Sequence, residues 1–255
     1  MDKSFYTKLK TELGASDAIN EYIEVLLRKC EAESLDENAF QQYAVAYGIR
    51  VNDISSKEAL LSIRRHYIVC VSQHFEFFLK NFQNHLKKYA TSYRTKVDGE
   101  SLLECICSTI LDLNNTENDS YLLFLLCDYY RLVRNHCAHI GDTTKVNSVL
   151  TELNTRSLDI RKLFPKLNAP SCFEEISFDD FILYSRAVKK LAALLIEKAD
   201  YNEESILADI DIKAFMKHKN HPIRLHSALL NGISCRFPMS NTQIELVVAK
   251  IEKML

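Results

Sequence analysis

The chain has 255 residues, of which 47% are hydrophobic and 26% charged, and its net charge is −2. That balance excludes a disordered or collagen-like chain, and it excludes bulk electrostatic capture of nucleic acid, so any such contact needs a local basic patch. The longest apolar run, Tyr121–Cys127, is far too short for a bilayer span, so no contact with the membrane interior is expected.

The opening "MDKSFYTKLK" carries no apolar stretch followed by a small-residue cleavage site. Eight cysteines without such a leader read as reduced thiols, and the expected location is cytoplasmic. Only five Gly and four Pro interrupt the chain, and sustained apolar/polar alternation is absent, which predicts an all-α protein.

In chain order, a first helix is expected from Ser16 or Asp17 through "AINEYIEVLLRKCEAE", with Ile19, Tyr22, Ile23, Leu26 and Leu27 on one side. A second, "DENAFQQYAVAYG", ends at Gly48. The third and longest is expected from about Ser56 to Ala90. Leu60, Tyr67, Val71, Phe75, Phe78, Phe82, Leu86 and Tyr89 recur there at steps of three and four. A shorter helix covers "ESLLECICSTILDL", and the polar link "NNTEND" leads into a helix from Asp119 to about Ile140. A polar helix follows over 143–155. An amphipathic one, with Ser177 as its N-cap, covers 177–199. The tail holds "ESILADIDIKAFMKH", a helix opened by Pro222, and "NTQIELVVAKIEKML". Residues 56–198 read as the core bundle, with 1–55 and 199–255 as helical extensions.

The 119–140 helix ends in "RLVRNHCAHIG", rich in Arg and His and free of acids from Arg131 to Gly141. With about 100° per residue, Leu122, Leu126, Tyr129, Val133, Cys137 and Ile140 fall on one face, the expected core side. His136 lies about 60° from its centre and is expected to touch the core. Arg131, Arg134, Asn135 and His139 take the opposite half, together with Phe124, Cys127 and Ala138. Such a mixed face suits a partner, most simply a second copy across a twofold axis.

Arg134-Asn135-His136-Cys137-Ala138-His139 resembles the Arg-x4-His motif of the HEPN superfamily, helical ribonucleases and nucleotide-binding proteins in which a polar residue often follows the Arg. The resemblance covers roughly residues 56–198 and implies a HEPN-like antiparallel helical bundle with helical extensions at both ends. It also implies Arg134, Asn135 and His139 as catalytic residues, Arg131 as a substrate-binding residue, and a homodimer with a composite active site. A second register, Arg131-x4-His136, lacks the Asn and is set aside. Glu76-x3-Lys80 fits a further element of some family members, and an ordinary i,i+4 ion pair explains it equally well.

The chemistry follows from the side chains. An RNA 2′-hydroxyl attacking its own phosphorus needs a base, and the leaving 5′-oxygen needs an acid; a histidine titrating near neutrality serves either role. An arginine binds two phosphate oxygens in a fork and stabilises charge that develops on them. By the same resemblance, the expected activity is a metal-independent endoribonuclease with no cofactor. It would act on single-stranded or loop RNA and leave 2′,3′-cyclic phosphate and 5′-hydroxyl ends. By resemblance it would be a toxin or antiphage defence effector, with a neutralising or regulatory protein as a further partner. The alternative is a non-catalytic HEPN-type module that binds a nucleotide or a protein.

Three other readings carry less weight. A zinc site from Cys105, Cys107, His136 and His139 is disfavoured because two thiolates two residues apart on a helix diverge. Cys137 is expected to be a buried, inert thiol. Arg64-Arg65 and Lys87-Lys88 are expected to be solvated helix faces.

Overall fold

The computed structural model describes residues 5–32, 37–52, 54–138 and 144–255. Those residues form helices and connecting turns with no strand among them, so the protein is all-α as expected. In order, the helices are α1 (Phe5–Ala32), α2 (Glu37–Ala46), α3 (Ser56–Tyr89), α4 (Leu102–Ile110), α5 (Asp119–Ala138) and α6 (Thr144–Thr155). There follow α7 (Ser157–Leu163), α8 (Phe178–Lys198), α9 (Glu203–Ala208), α10 (Pro222–Arg236) and α11 (Asn241–Met254). None is long and apolar enough to cross a membrane.

Contacts group the chain into two units, each built from separated segments. The first comprises the chain up to Thr11, then Phe75–Phe124 and Lys189–Leu255; the second comprises Glu12–His74 and Leu125–Val188.

In the first unit the C-terminal half of α3 supplies an aromatic spine. Phe78 stacks on Phe82 at 5.4 Å between ring centroids, and Phe5 lies 5.7 Å from Phe78. The buried Leu229 and Ile233 of α10 and Val247, Val248 and Ile251 of α11 belong to the same unit, and α10 packs on α11. A single antiparallel bridge joins Ala90 to Tyr201. Asp209 gathers this end of the unit: its carboxylate accepts from Lys88 Nζ at 2.7 Å, from the Tyr89 hydroxyl and from Arg236 Nη2 at 3.1 Å. Those donors hold the Asp209 carboxyl below the usual carboxylate range. Lys87 and Lys88 are exposed, as expected of a solvated face, and Lys88 is also an ion-pair member.

His85 sits 8% exposed among Phe5, Tyr89, Tyr201 and Phe237, with rings 5.8, 4.7, 5.3 and 6.1 Å away. Burial, aided by the Lys88 charge, lowers its pKa to about 4. An unfolded His85 binds its proton near 6.5 and the folded one only near 4, so between those values acidification favours unfolding. The neutral ring's stabilisation is complete above pH 6.5 and falls by up to about 3 kcal/mol as the pH drops to 4. His85→Leu is expected to flatten that part of the stability–pH curve in chemical denaturation; an unchanged slope would show that His85 is not its source.

The second unit holds the sequence motif. Its core is built from Tyr67, Ile68 and Val71 of α3, Leu126, Tyr129, Tyr130 and Val133 of α5, Leu153 of α6, Ile160 of α7, and Phe181, Tyr184 and Val188 of α8, all buried. Tyr130 stacks on Tyr184 at 4.8 Å, and the Tyr184 hydroxyl lies 3.1 Å from Ser72 Oγ.

Several local expectations change. Helix α1 begins at Phe5, not at Ser16 or Asp17, because Phe5, Leu9 and Leu13 extend the apolar spacing upstream and Leu9 and Leu13 are buried. Asp17 is no cap: it accepts from Ser185 Oγ at 2.8 Å. Farther along, α1 buries its polar side. Glu24 is 2% exposed and Asn20 4%, whereas Ile19 and Tyr22 are 61% and 68% exposed. Arg28 Nε and Arg64 Nη2 meet the Glu24 carboxylate at 3.1 and 3.0 Å, so the buried charge is paired on two sides. In the tail, the helix expected over "ESILADIDIKAFMKH" is divided into α9 and a 3-10 segment (Ile212–His218). The Asp211 carboxylate accepts from the Lys213 amide at 3.1 Å and starts a new turn there.

Candidate functional site

Helix α5 positions the motif because its apolar positions bury so fully that the chain can take only one rotation about its axis. Leu125, Leu126, Cys127, Tyr129, Tyr130 and Val133 are all buried. Cys127, expected on the partner-facing side, therefore lies inside its own chain. Cys137, expected in the core, is exposed. The reason is that burial around α5 is nearly all-round up to Tyr130 and gives way over its last two turns. A fixed angular sector does not describe it.

Of the implied site residues, Arg134 and Asn135 act together. Arg134 Nη1 donates to Asn135 Oδ1 at 3.0 Å, so the amide next to the arginine steadies the guanidinium. Arg131 is directed elsewhere: its Nε donates to Asp128 Oδ1 at 2.7 Å, three residues back. The partner of Arg131 is thus an acid just upstream of the acid-free stretch. His139 lies outside the described residues, as do Ile140 and Gly141. Glu76 and Lys80 belong to the first unit.

Arg134 opens onto a cleft of about 540 Å³ in the second unit. Its walls are Ser62, Arg65, His66 and Val69 of α3, Arg134, His136, Cys137 and Ala138 of α5, and Phe173 from the segment before α8. Two arginines and two histidines line it, and no carboxylate is among its described lining residues. His136 therefore serves this cleft and does not fill the core; its ring meets Phe173 edge-on, 4.4 Å between centroids at 88°.

Phe173 organises the cleft. The Arg65 guanidinium lies 3.7 Å over its ring, and Arg65 Nε and Nη2 donate to the Phe173 carbonyl at 3.2 and 2.8 Å. One residue thus holds a cation on its ring face and a histidine nearby through a second ring contact. The basic pair read as a solvated face is divided between two tasks: Arg64 neutralises Glu24, and Arg65 lines the cleft.

The segment carrying Phe173 is itself pinned by a buried acid. Asp180, 3% exposed, accepts from the Tyr130 hydroxyl at 3.0 Å and from the Ser171 amide at 2.8 Å. It also accepts from the Ser177 amide at 2.8 Å and the Ser177 hydroxyl at 2.7 Å. The Tyr129 hydroxyl donates to the Ser171 carbonyl. Burial, with the Asp180 charge beside them, pushes both tyrosine hydroxyls well above their ordinary pKa, so they stay protonated donors. Arg65, His66, Phe173 and Asp180 were not singled out as site residues from the sequence. The one trace of them was the dipeptide Arg65-His66, which repeats on α3 the Arg and His pairing of the α5 motif.

Chemically, the cleft suits an anion. Two guanidinium groups line it and Ser62 adds a neutral hydroxyl. Among its described lining residues there is no oxygen anion to hold a hard divalent cation. No family model, no curated protein and no solved structure matches the chain.

Proposed function

We propose that this protein is a metal-independent endoribonuclease of the HEPN type, cutting single-stranded or loop RNA. The observation that carries this reading is the cleft that Arg134, steadied by Asn135, lines together with Arg65, His66 and His136, with no carboxylate among its described lining residues. The all-helical fold is compatible with the HEPN-like bundle that the motif implies.

In this reading Arg134 binds the scissile phosphate and stabilises charge that grows on its oxygens in the transition state. His139 moves the proton, and Arg65 holds the phosphate backbone beside it. Two copies meeting at the exposed end of α5, around Cys137 and Ala138, would bring two Arg–His sets to one cleft. A toxin or defence role, restrained by a partner protein, fits an enzyme that cuts RNA without a cofactor.

The direct test is incubation of the purified protein with total RNA in excess chelator, beside Arg134→Ala. Cleavage by the wild type alone supports the reading; cleavage that needs added divalent metal overturns it.

The two histidines are expected to differ. His139→Ala should abolish cleavage, whereas His136→Ala should lower it roughly tenfold, mostly through KM, as a ligand-facing ring does when it leaves the chemistry intact. Because His136 lines a cleft, its loss should leave the thermal midpoint within about 3 °C of wild type. A dead His136→Ala beside an active His139→Ala would assign proton transfer to His136.

A further inference from the structure

The cleft does not end at Arg65. Ser62 and Arg65 also wall a second concavity of about 620 Å³, completed by Val51, Asn52, Ile54, Glu58 and Leu61. The two share Ser62 and Arg65 as walls on α3, so they adjoin.

Their chemistry differs. The first presents guanidinium and imidazole groups; the second presents three aliphatic side chains and one exposed carboxamide, Asn52. The one carboxylate among its described lining residues is engaged: Glu58 Oε2 accepts from Ser55 Oγ at 2.7 Å and from the Ser55 amide at 3.2 Å, where it closes the start of α3. A ligand that fits the pair carries an anion and a flat apolar group with polar edges, a short covalent distance apart. A nucleotide unit has that composition.

We infer that the second concavity is a nucleobase subsite, taking the base next to the phosphate held at Arg65 and Arg134. Val51, Ile54 and Leu61 cover the base's face. Asn52, which can donate and accept at once, reads its edge and gives the enzyme a sequence preference beside the cut. The inference rests on the RNA reading of the first cleft and adds a residue-level determinant of which RNA is chosen.

The test separates the two. Binding of 2′-deoxy homopolymers of the four bases, which cannot be cut, is measured by fluorescence anisotropy against an abasic phosphodiester of equal length. The wild type should bind at least one homopolymer about tenfold more tightly than the abasic chain. Asn52→Ala with Ile54→Ser, both at exposed positions, should erase that advantage and leave abasic binding unchanged. Arg134→Ala should weaken intact and abasic chains alike. Equal binding of intact and abasic chains by the wild type, or a base advantage that survives the double variant, overturns the subsite even if RNA is cut. Failure to cut any RNA overturns the nuclease reading, while a base advantage lost in the double variant would still assign the subsite.

Discussion

Arg134→Lys is expected to lower RNA cleavage about 10²–10³-fold while the protein stays folded, the range seen when one charge-stabilising donor is lost. Lysine keeps the charge but replaces a planar fork by a single ammonium, so it cannot contact two phosphate oxygens and Asn135 Oδ1 together. The loss should fall on kcat more than on KM, because charge on the phosphate oxygens grows only in the transition state. The products should carry 2′,3′-cyclic phosphates and free 5′-hydroxyls, and a substrate with a 2′-deoxy sugar at the cut should resist. End-group analysis decides the matter. Products with 5′-phosphates, or a lysine variant as active as wild type, would remove Arg134 from the chemistry and return the motif to a binding role.

The second large effect concerns stability. Asp180→Ala should destabilise the protein by about 4 kcal/mol, because it leaves the Tyr130 hydroxyl and the Ser171 and Ser177 donors unpaired in a buried site. At that size the thermal midpoint should drop by roughly 10 °C. Ser177→Ala removes one donor and leaves the carboxylate in place, so about 1 kcal/mol is expected. Asp180→Ala should also loosen the segment bearing Phe173 and with it the seat of Arg65. The cleft should therefore bind RNA less tightly even at temperatures where the variant is folded. A midpoint within a degree or two of wild type would show that water replaces the lost acceptor without penalty.

The helices of α3, α5, α8, α10 and α11 were legible because their apolar residues repeat at steps of three and four, with Pro222 opening α10 and the Ser240 cap opening α11. Burial at Phe75, Phe78, Phe82 and Leu86 follows directly from that spacing. What was not legible was which side of a helix the rest of the chain would cover. On the C-terminal half of α1, Ile19 and Tyr22 face out, because Arg28 and Arg64 make burial of Glu24 tolerable; the Arg64–Glu24 pair joins residues 40 positions apart, beyond any local pattern. On α5 the angular reading fails for Cys127 and Cys137 because neighbours cover one end of the helix more fully than the other. Arg134 and Asn135 were both singled out by the motif, but their hydrogen bond to each other was not foreseen. The Arg65 and Phe173 walls come from segments 108 residues apart, and nothing in either stretch announces the other.

That separation bears on when the protein can become active as it is made. The motif of α5 leaves the ribosome well before Phe173, and Phe173 is fixed only after Asp180 has emerged and accepted its four hydrogen bonds. Closing so long a loop carries an entropic cost that local contacts do not. A nascent chain that stops short of Phe173 holds Arg134, Asn135 and His139 but lacks the wall that seats Arg65. On the ribonuclease reading proposed above, that delay would shield the message being translated from its own half-made product.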